Sequence, residues 1–320
     1  MMKFSNFTQG RNNNFNLIRM LAAYAVLVTH SFALAIGTGN AEPFQGSLGM
    51  TMGSIAVDIL FLTSGFLVTT SLLTRQSTIE FVWARVLRIF PALFAMHFLT
   101  VIGLGSFFTT LAWPSYFEDP KLYKYLLKYL ILITGYAYEL PEFFAHKPYK
   151  NTVNSSLWTI PYEIIMYVTL AITWACLHVM PKYRSQVFKG TVISGTAISC
   201  LLVFLGHFNI TANNHFIWLF FMFFTGSAFF ILKNRIVLSH FIFFIFMITF
   251  LLATLNRNFF IIVYVVNLAY LLFYVAYIPS GILREYNKLG DYSYGFYIYA
   301  HSLFSNQLLH CCQVYPCFPW

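Results

Sequence analysis

The run Phe15–Ile36, FNLIRMLAAYAVLVTHSFALAI, constrains this chain more than any other stretch: it is apolar enough to enter a bilayer, yet it carries Arg19 and His30. The two lie eleven residues apart. At ~100° per residue they project from one helix face, separated by ~16 Å along the axis. An arginine and a histidine in hydrocarbon are costly, so they face a bundle interior or a watery cavity, and the default reading is a functional site. The plainer alternative is a snorkelling arginine and a histidine bridging two helices. The shared face favours a site, in which histidine can titrate near neutral pH and act as a general base.

The rest of the chain extends this pattern. Of 320 residues, 59% are hydrophobic and 9% charged. Soluble domains average about 25% charged residues, so the composition indicates a polytopic membrane protein. The net charge of +9 is spread over short connections, where it orients spans and gives no nucleic-acid signal. An all-α helical bundle is expected, with spans at about 15–36, 51–73, 87–111, 157–180, 190–207, 216–232, 236–256, 259–278 and 290–311. The segment 122–138 reads as interfacial or re-entrant, because Lys124 and Lys128 occupy its first half. The basic connections then fall in the cytoplasm together with the N-terminus. The first thirteen residues are polar and no convincing cleavage site follows, so a removable signal peptide is not expected. Cys176 and Cys200 sit in apolar runs; Cys311, Cys312 and Cys317 lack zinc-like spacing.

Several side chains stand out against this apolar background. Arg85 and Arg88 are spaced i, i+3 on one helix face at the expected cytoplasmic end of the third span. They suit an anion clamp, or ordinary positive-inside anchoring. Asp58 lies mid-span in VDILFLTSGFL and needs a partner, such as an Arg or His of a neighbouring helix. Gly65 allows close helix approach, and Ser64, without an acyl-serine motif, has a local hydrogen-bonding role. In SLWTIPYEI, Trp158 and Pro161 indicate an interfacial helix entry, which places Glu163 near the outer surface at the depth of His30. His301 follows an aromatic run that reads as packing, and His97 and His178 read as core histidines.

Taken in order, Arg–x10–His in the first span, VDILFLTSGFL, RVLRIFPAL, SLWTIPYE and SYGFYIYAHSL resemble the acyltransferase-3 family of bacterial membrane O-acyltransferases. The resemblance covers almost the whole chain. It implies a single membrane domain over 1–320, about nine to ten transmembrane helices, and residence in the bacterial inner membrane. It also implies transfer of an acyl group, usually acetyl, from cytoplasmic acyl-CoA to a carbohydrate such as O-antigen, capsule, exopolysaccharide or a lipid-linked sugar. Acetyl-CoA is then a substrate, and no tightly bound cofactor or metal is expected. By the family's motifs, Arg19 and His30 form the essential first-span pair, and Arg85 and Arg88 the Arg-x-x-Arg motif. Relatives usually continue past the SYG span into another apolar helix. Here the sequence reads HCCQVYPCFPW, so a tenth span is expected to be missing.

The resulting expectation gives His30 the role of base or acyl acceptor, with Asp58 or Glu163 orienting its imidazole. Arg19, Arg85 and Arg88 bind the donor; Trp158, Tyr162 and His301 contact the acceptor. A competing reading is a transporter or flippase in which Arg19, His30, Asp58 and Glu163 relay ions or protons. Transporters commonly carry repeated halves, and the sequence shows no such repeat.

Overall fold

The computed structural model describes residues 2–8, 10, 12–36, 38, 42–130, 140 and 154–299. Its main helices are α1 (Phe15–Ile36), α2 (Met52–Arg75), α3 (Thr78–Phe98), α4 (Pro120–Leu130), α5 (Ile160–Cys176), α6 (Arg184–His207), α7 (His215–Ile231), α8 (His240–Ala253), α9 (Arg257–Tyr277) and α10, over 293–299. Among the described residues, six helices are long and apolar enough to cross a membrane: Phe15–Ala33, Met52–Arg75, Thr78–Gly105, Ser156–Val179, Arg184–His207 and Arg257–Tyr277. Two shorter apolar helices, α7 and α8, join them. The chain is therefore an all-α polytopic membrane protein. Its strands among the described residues are Met2–Lys3 and Val237–Leu238, which pair antiparallel.

Helix starts follow local polar chemistry. The Thr51 hydroxyl accepts from Ser54 N at 2.9 Å and caps α2. Ser77 accepts from Glu80 N at 3.3 Å and caps α3, in the Ser-x-x-Glu pattern of a capping box. Asn214 and Asn256 cap α7 and α9 in the same way. The third span, expected from residue 87, thus begins at Thr78, nine residues earlier. Arg85 and Arg88 consequently lie two to three turns inside the helix rather than at its end.

Helix α2 is the centre of the bundle, packed mainly on α1 and α7. It crosses α7 at two glycines. A Cβ on Gly65 would overlap the Phe223 carbonyl, and one on Gly226 would overlap the Leu62 carbonyl. Ser227 Oγ donates to Gly65 O at 3.2 Å across the contact, and Thr69 Oγ1 donates to Ser227 Oγ at 2.9 Å. Small residues let membrane helices approach until backbones touch.

The helix ends sort into two faces. Ser5 N donates to Lys233 O at 3.0 Å, which puts the N-terminus beside the α7–α8 connection. Trp174 Nε1 donates to Gln76 O at 3.4 Å, and Arg184 donates to Trp174 O at 3.1 Å. The α2–α3 turn and the α5–α6 connection therefore share one end, and Arg184, Lys189 and Lys233 line a common recess there. This is the clustering of basic connections expected if 122–138 does not span. Helix α4, which contains the described part of that segment, has eleven residues and is ~16 Å long, about half of the hydrocarbon thickness. Residues 131–138 lie outside the described residues. His178, expected in the core, is exposed in the α5–α6 connection, whereas His97 is buried, with Nδ1 2.7 Å from Leu93 O.

Candidate functional site

Arg19 is 4% exposed and bonds two other segments. Its Nη1 donates to Thr63 Oγ1 at 3.3 Å and Ser64 Oγ at 3.1 Å on α2. Its Nε donates to Ser293 Oγ at 3.3 Å and lies 3.5 Å from Asp291 Oδ2. Arg88 reaches the same carboxylate oxygen from α3 at 3.1 Å. Ser64 Oγ continues the chain, donating to Glu163 Oε1 at 3.5 Å, and the Tyr167 hydroxyl donates to the same oxygen. The Arg85 guanidinium lies 5.8 Å from the Tyr167 ring centre and 5.9 Å from that of Phe81. Its Nε is buried without a hydrogen-bond partner among the described residues.

Three guanidiniums and two carboxylates thus converge where α1, α2, α3, α5 and the start of α10 meet. The surplus of positive charge and the uncommitted Arg85 donor suit an anion. Arg88 and Asp291 remain about a quarter exposed, with side-chain exposures of 26% and 29%. A cavity of about 30 Å³ adjoins the cluster, lined by Arg19, Val57, Ser64, Thr159, Glu163 and Tyr294 among others. It is large enough for a water molecule.

A second cavity of about 520 Å³ shares Val57 with the first. It lies at the opposite end of the bundle, where α2, α5, α7 and α9 begin and α6 ends. Trp158, His207, His215 and Trp218 line it, and Trp158 stacks edge-on against His215 and Tyr162. Asp58 forms part of its wall.

The sequence-derived candidates fall into place unevenly. Arg19, Arg85, Arg88 and Glu163 come together. Glu163 does not share the depth of His30. Thr29 packs against Gly53, whereas Ser64, the partner of Glu163, lies eleven residues further along α2, or ~16 Å. The reason is that the 3₁₀ turn Ser155–Thr159 forms the segment's entry, so Glu163 is already inside the bundle. Asp58 also departs from expectation: instead of an Arg or His it holds the Trp218 indole at 2.8 Å and the Tyr264 hydroxyl at 2.7 Å. Trp158 lines the larger cavity, and Tyr162 packs edge-on against Trp158. His301 lies outside the described residues.

Asp291, Ser293 and Tyr167 belong to the cluster and were not singled out by sequence reasoning. The available signal for Asp291 was an N-cap pattern: its Oδ1 accepts from Ser293 N at 3.2 Å at the head of α10. In the aromatic run after it, Tyr294 and Tyr299 donate to the carbonyls of Ile89 and Ala92, and Tyr297 to that of Ser156, while Tyr294 and Tyr297 also line the small cavity.

Comparison with known proteins meets this arrangement from another direction. The chain is 29% identical to Nodulation protein 10 of Rhizobium leguminosarum bv. viciae, over 64% of this chain and 54% of that protein. It is 30% identical to an O-acetyl transferase of Shigella phage Sf6, over 52% of this chain and 47% of that protein. It thus spans about half the length of the curated relatives it matches. No solved structure is significantly similar. A family profile described as an acyltransferase domain matches residues 12–305, from before Arg19 to beyond Asp291. The chain belongs to the acyltransferase-3 family.

Proposed function

We propose that this protein is a membrane O-acyltransferase of the bacterial inner membrane, its N-terminus cytoplasmic, acting as one membrane domain. It moves an acyl group from acyl-CoA to a hydroxyl of a cell-surface or lipid-linked glycan. The phage relative's name supports acetyl as the group. The observation that carries the reading is the clustering of Arg19, Arg85 and Arg88 next to a small cavity that Arg19 lines. Val57 of that cavity also lines a larger one at the opposite end of the bundle. An anionic donor entering from the N-terminal face meets the guanidiniums first. Its pantetheine arm is comparable in length to the gap between Arg19 and His30.

In the reaction the sugar oxygen attacks the thioester carbonyl carbon. A C–O bond forms, the C–S bond breaks, and the hydroxyl proton passes through His30 to the departing thiolate. Membranes supplied with labelled acetyl-CoA and surface glycans test this. Label is expected on a glycan with the parent chain and not with His30→Ala at equal protein level. Equal labelling by both removes His30 from the chemistry, and no labelling by the parent contradicts the function.

Arg88→Ala should raise the apparent donor KM about tenfold or more, the usual effect of losing one hydrogen bond to a charged group. Arg85→Ala should do the same. Steady-state titration of acyl-CoA checks both, and an unchanged KM assigns the pair to anchoring.

A further inference from the structure

The 520 Å³ cavity has the size of a small-molecule site, ~300–1,000 Å³. Two tryptophans stand in the wall: Trp158 from the turn before α5, and Trp218 from the first turn of α7. Around them lie His207, Asn213, Asn214 and His215, whose amides and imidazoles offer hydrogen-bonding groups. Asn213, Asn214 and His215 are exposed, so the cavity reaches the surface at this end of the bundle.

Trp218 is held in place from behind. Asp58 is 1% exposed, and both its oxygens are committed, Oδ1 to the Trp218 indole N–H at 2.8 Å and Oδ2 to the Tyr264 hydroxyl at 2.7 Å. The Trp218 and Tyr264 rings lie nearly parallel, 6.3 Å apart at 16°. Burying a carboxylate against two neutral donors is costly. What the arrangement provides is a fixed indole orientation, with one edge tied to Asp58 and the ring left half-buried in the cavity wall.

A pyranose ring presents an apolar C–H face and a rim of hydroxyls. Rigid aromatic faces suit the first, and amides and imidazoles suit the second. We propose that Trp218 and Trp158 form the aromatic wall of a pyranose-binding acceptor site, and that Asp58 is a positioning residue for Trp218. The inference rests on the acyltransferase reading and names where the acceptor sits. Because Val57 lines both cavities, a ring bound here has the Arg19–Glu163 cavity beside it.

Two measurements on the full chain test the site. In transfer assays, Trp218→Leu should raise the acceptor KM about tenfold or more, the effect of losing a large apolar contact, with donor KM unchanged. Asp58→Ala should share that phenotype. Asp58→Asn should largely restore the parent value, since its amide oxygen still accepts from the indole. An unchanged acceptor KM in Trp218→Leu overturns the proposal, and a fall in kcat at constant KM for Asp58→Asn moves Asp58 into the chemistry. The second measurement needs no turnover: tryptophan fluorescence in a sugar-free detergent, titrated with methyl pyranosides without donor. Saturable change is expected for the parent and a diminished change for Trp218→Phe. Absence of any change in the parent overturns the site. A saturable change in a parent that transfers to no glycan leaves the site standing and removes the acyltransferase reading.

Discussion

Arg19→Ala is expected to abolish acyl transfer and to destabilise the protein by ~3–5 kcal/mol, the range found when one partner of a buried ion pair is removed. The side chain ties α1 to Thr63 and Ser64 of α2, to Ser293 and to Asp291. Alanine leaves the two hydroxyls on α2 without their arginine donor and leaves Asp291 with Arg88 as its ion-pair partner. Glu163 loses its link to the cluster through Ser64. Arg19→Lys separates the two effects. Lysine keeps the charge but lacks the planar fork that lets one side chain serve both α2 and α10. It should therefore recover much of the stability and little of the activity. Thermal unfolding in detergent and the labelled-donor assay read the two quantities. Activity near the parent level in either variant would show that the cluster is structural.

Gly226→Val is expected to prevent assembly of the bundle. Any Cβ at this position meets the backbone of α2 at Leu62 rather than a flexible side chain, so only separation of the helices relieves it. Overpacking that side chains can absorb costs ~1–3 kcal/mol, and a backbone clash exceeds that. The separation would also move Thr63 and Ser64 away from Arg19, so residual folded protein should be inactive. Gly190→Ala is the control: nothing lies within 4 Å of its Cβ position, and it sits within α6. There alanine should be neutral or stabilising by up to ~1 kcal/mol. Monodispersity on size-exclusion chromatography distinguishes the two variants. A well-behaved Gly226→Val protein would contradict the α2–α7 crossing.

Both predictions depend on features the sequence reveals to different degrees. Spans were legible because hydropathy is a property of each segment alone. Arg19, Arg85 and Arg88 were legible because charges within apolar runs stand out. The depth of Glu163 was not, since Trp158 and Pro161 signal a helix entry without saying how far inside the membrane that entry lies. The 3₁₀ turn Ser155–Thr159 fixes it, and only tertiary packing reveals that. Asp291 follows the glycine of an ordinary polar connection, and nothing local marks it as the carboxylate shared by two arginines. The partners of Asp58 were hidden for the opposite reason. With 21 tyrosines and 6 tryptophans, no single aromatic donor is conspicuous, whereas an ionic partner would have been.

The proposed reaction has a direction. Arg88 and Asp291 reach the surface near the start of α1, where Asn16 Nδ2 donates to Asn287 O at 3.4 Å. The tryptophan-lined cavity lies among the opposite helix ends. Under the proposed function, donor and acceptor would approach one buried centre from opposite sides of the membrane.

Sealed membrane vesicles of known orientation test this directly, with labelled acetyl-CoA supplied outside and acceptor glycan confined to one compartment at a time. The account expects label on the glycan only when the N-terminal face meets acetyl-CoA and the glycan occupies the other compartment. Labelling only when donor and glycan share a compartment would contradict it.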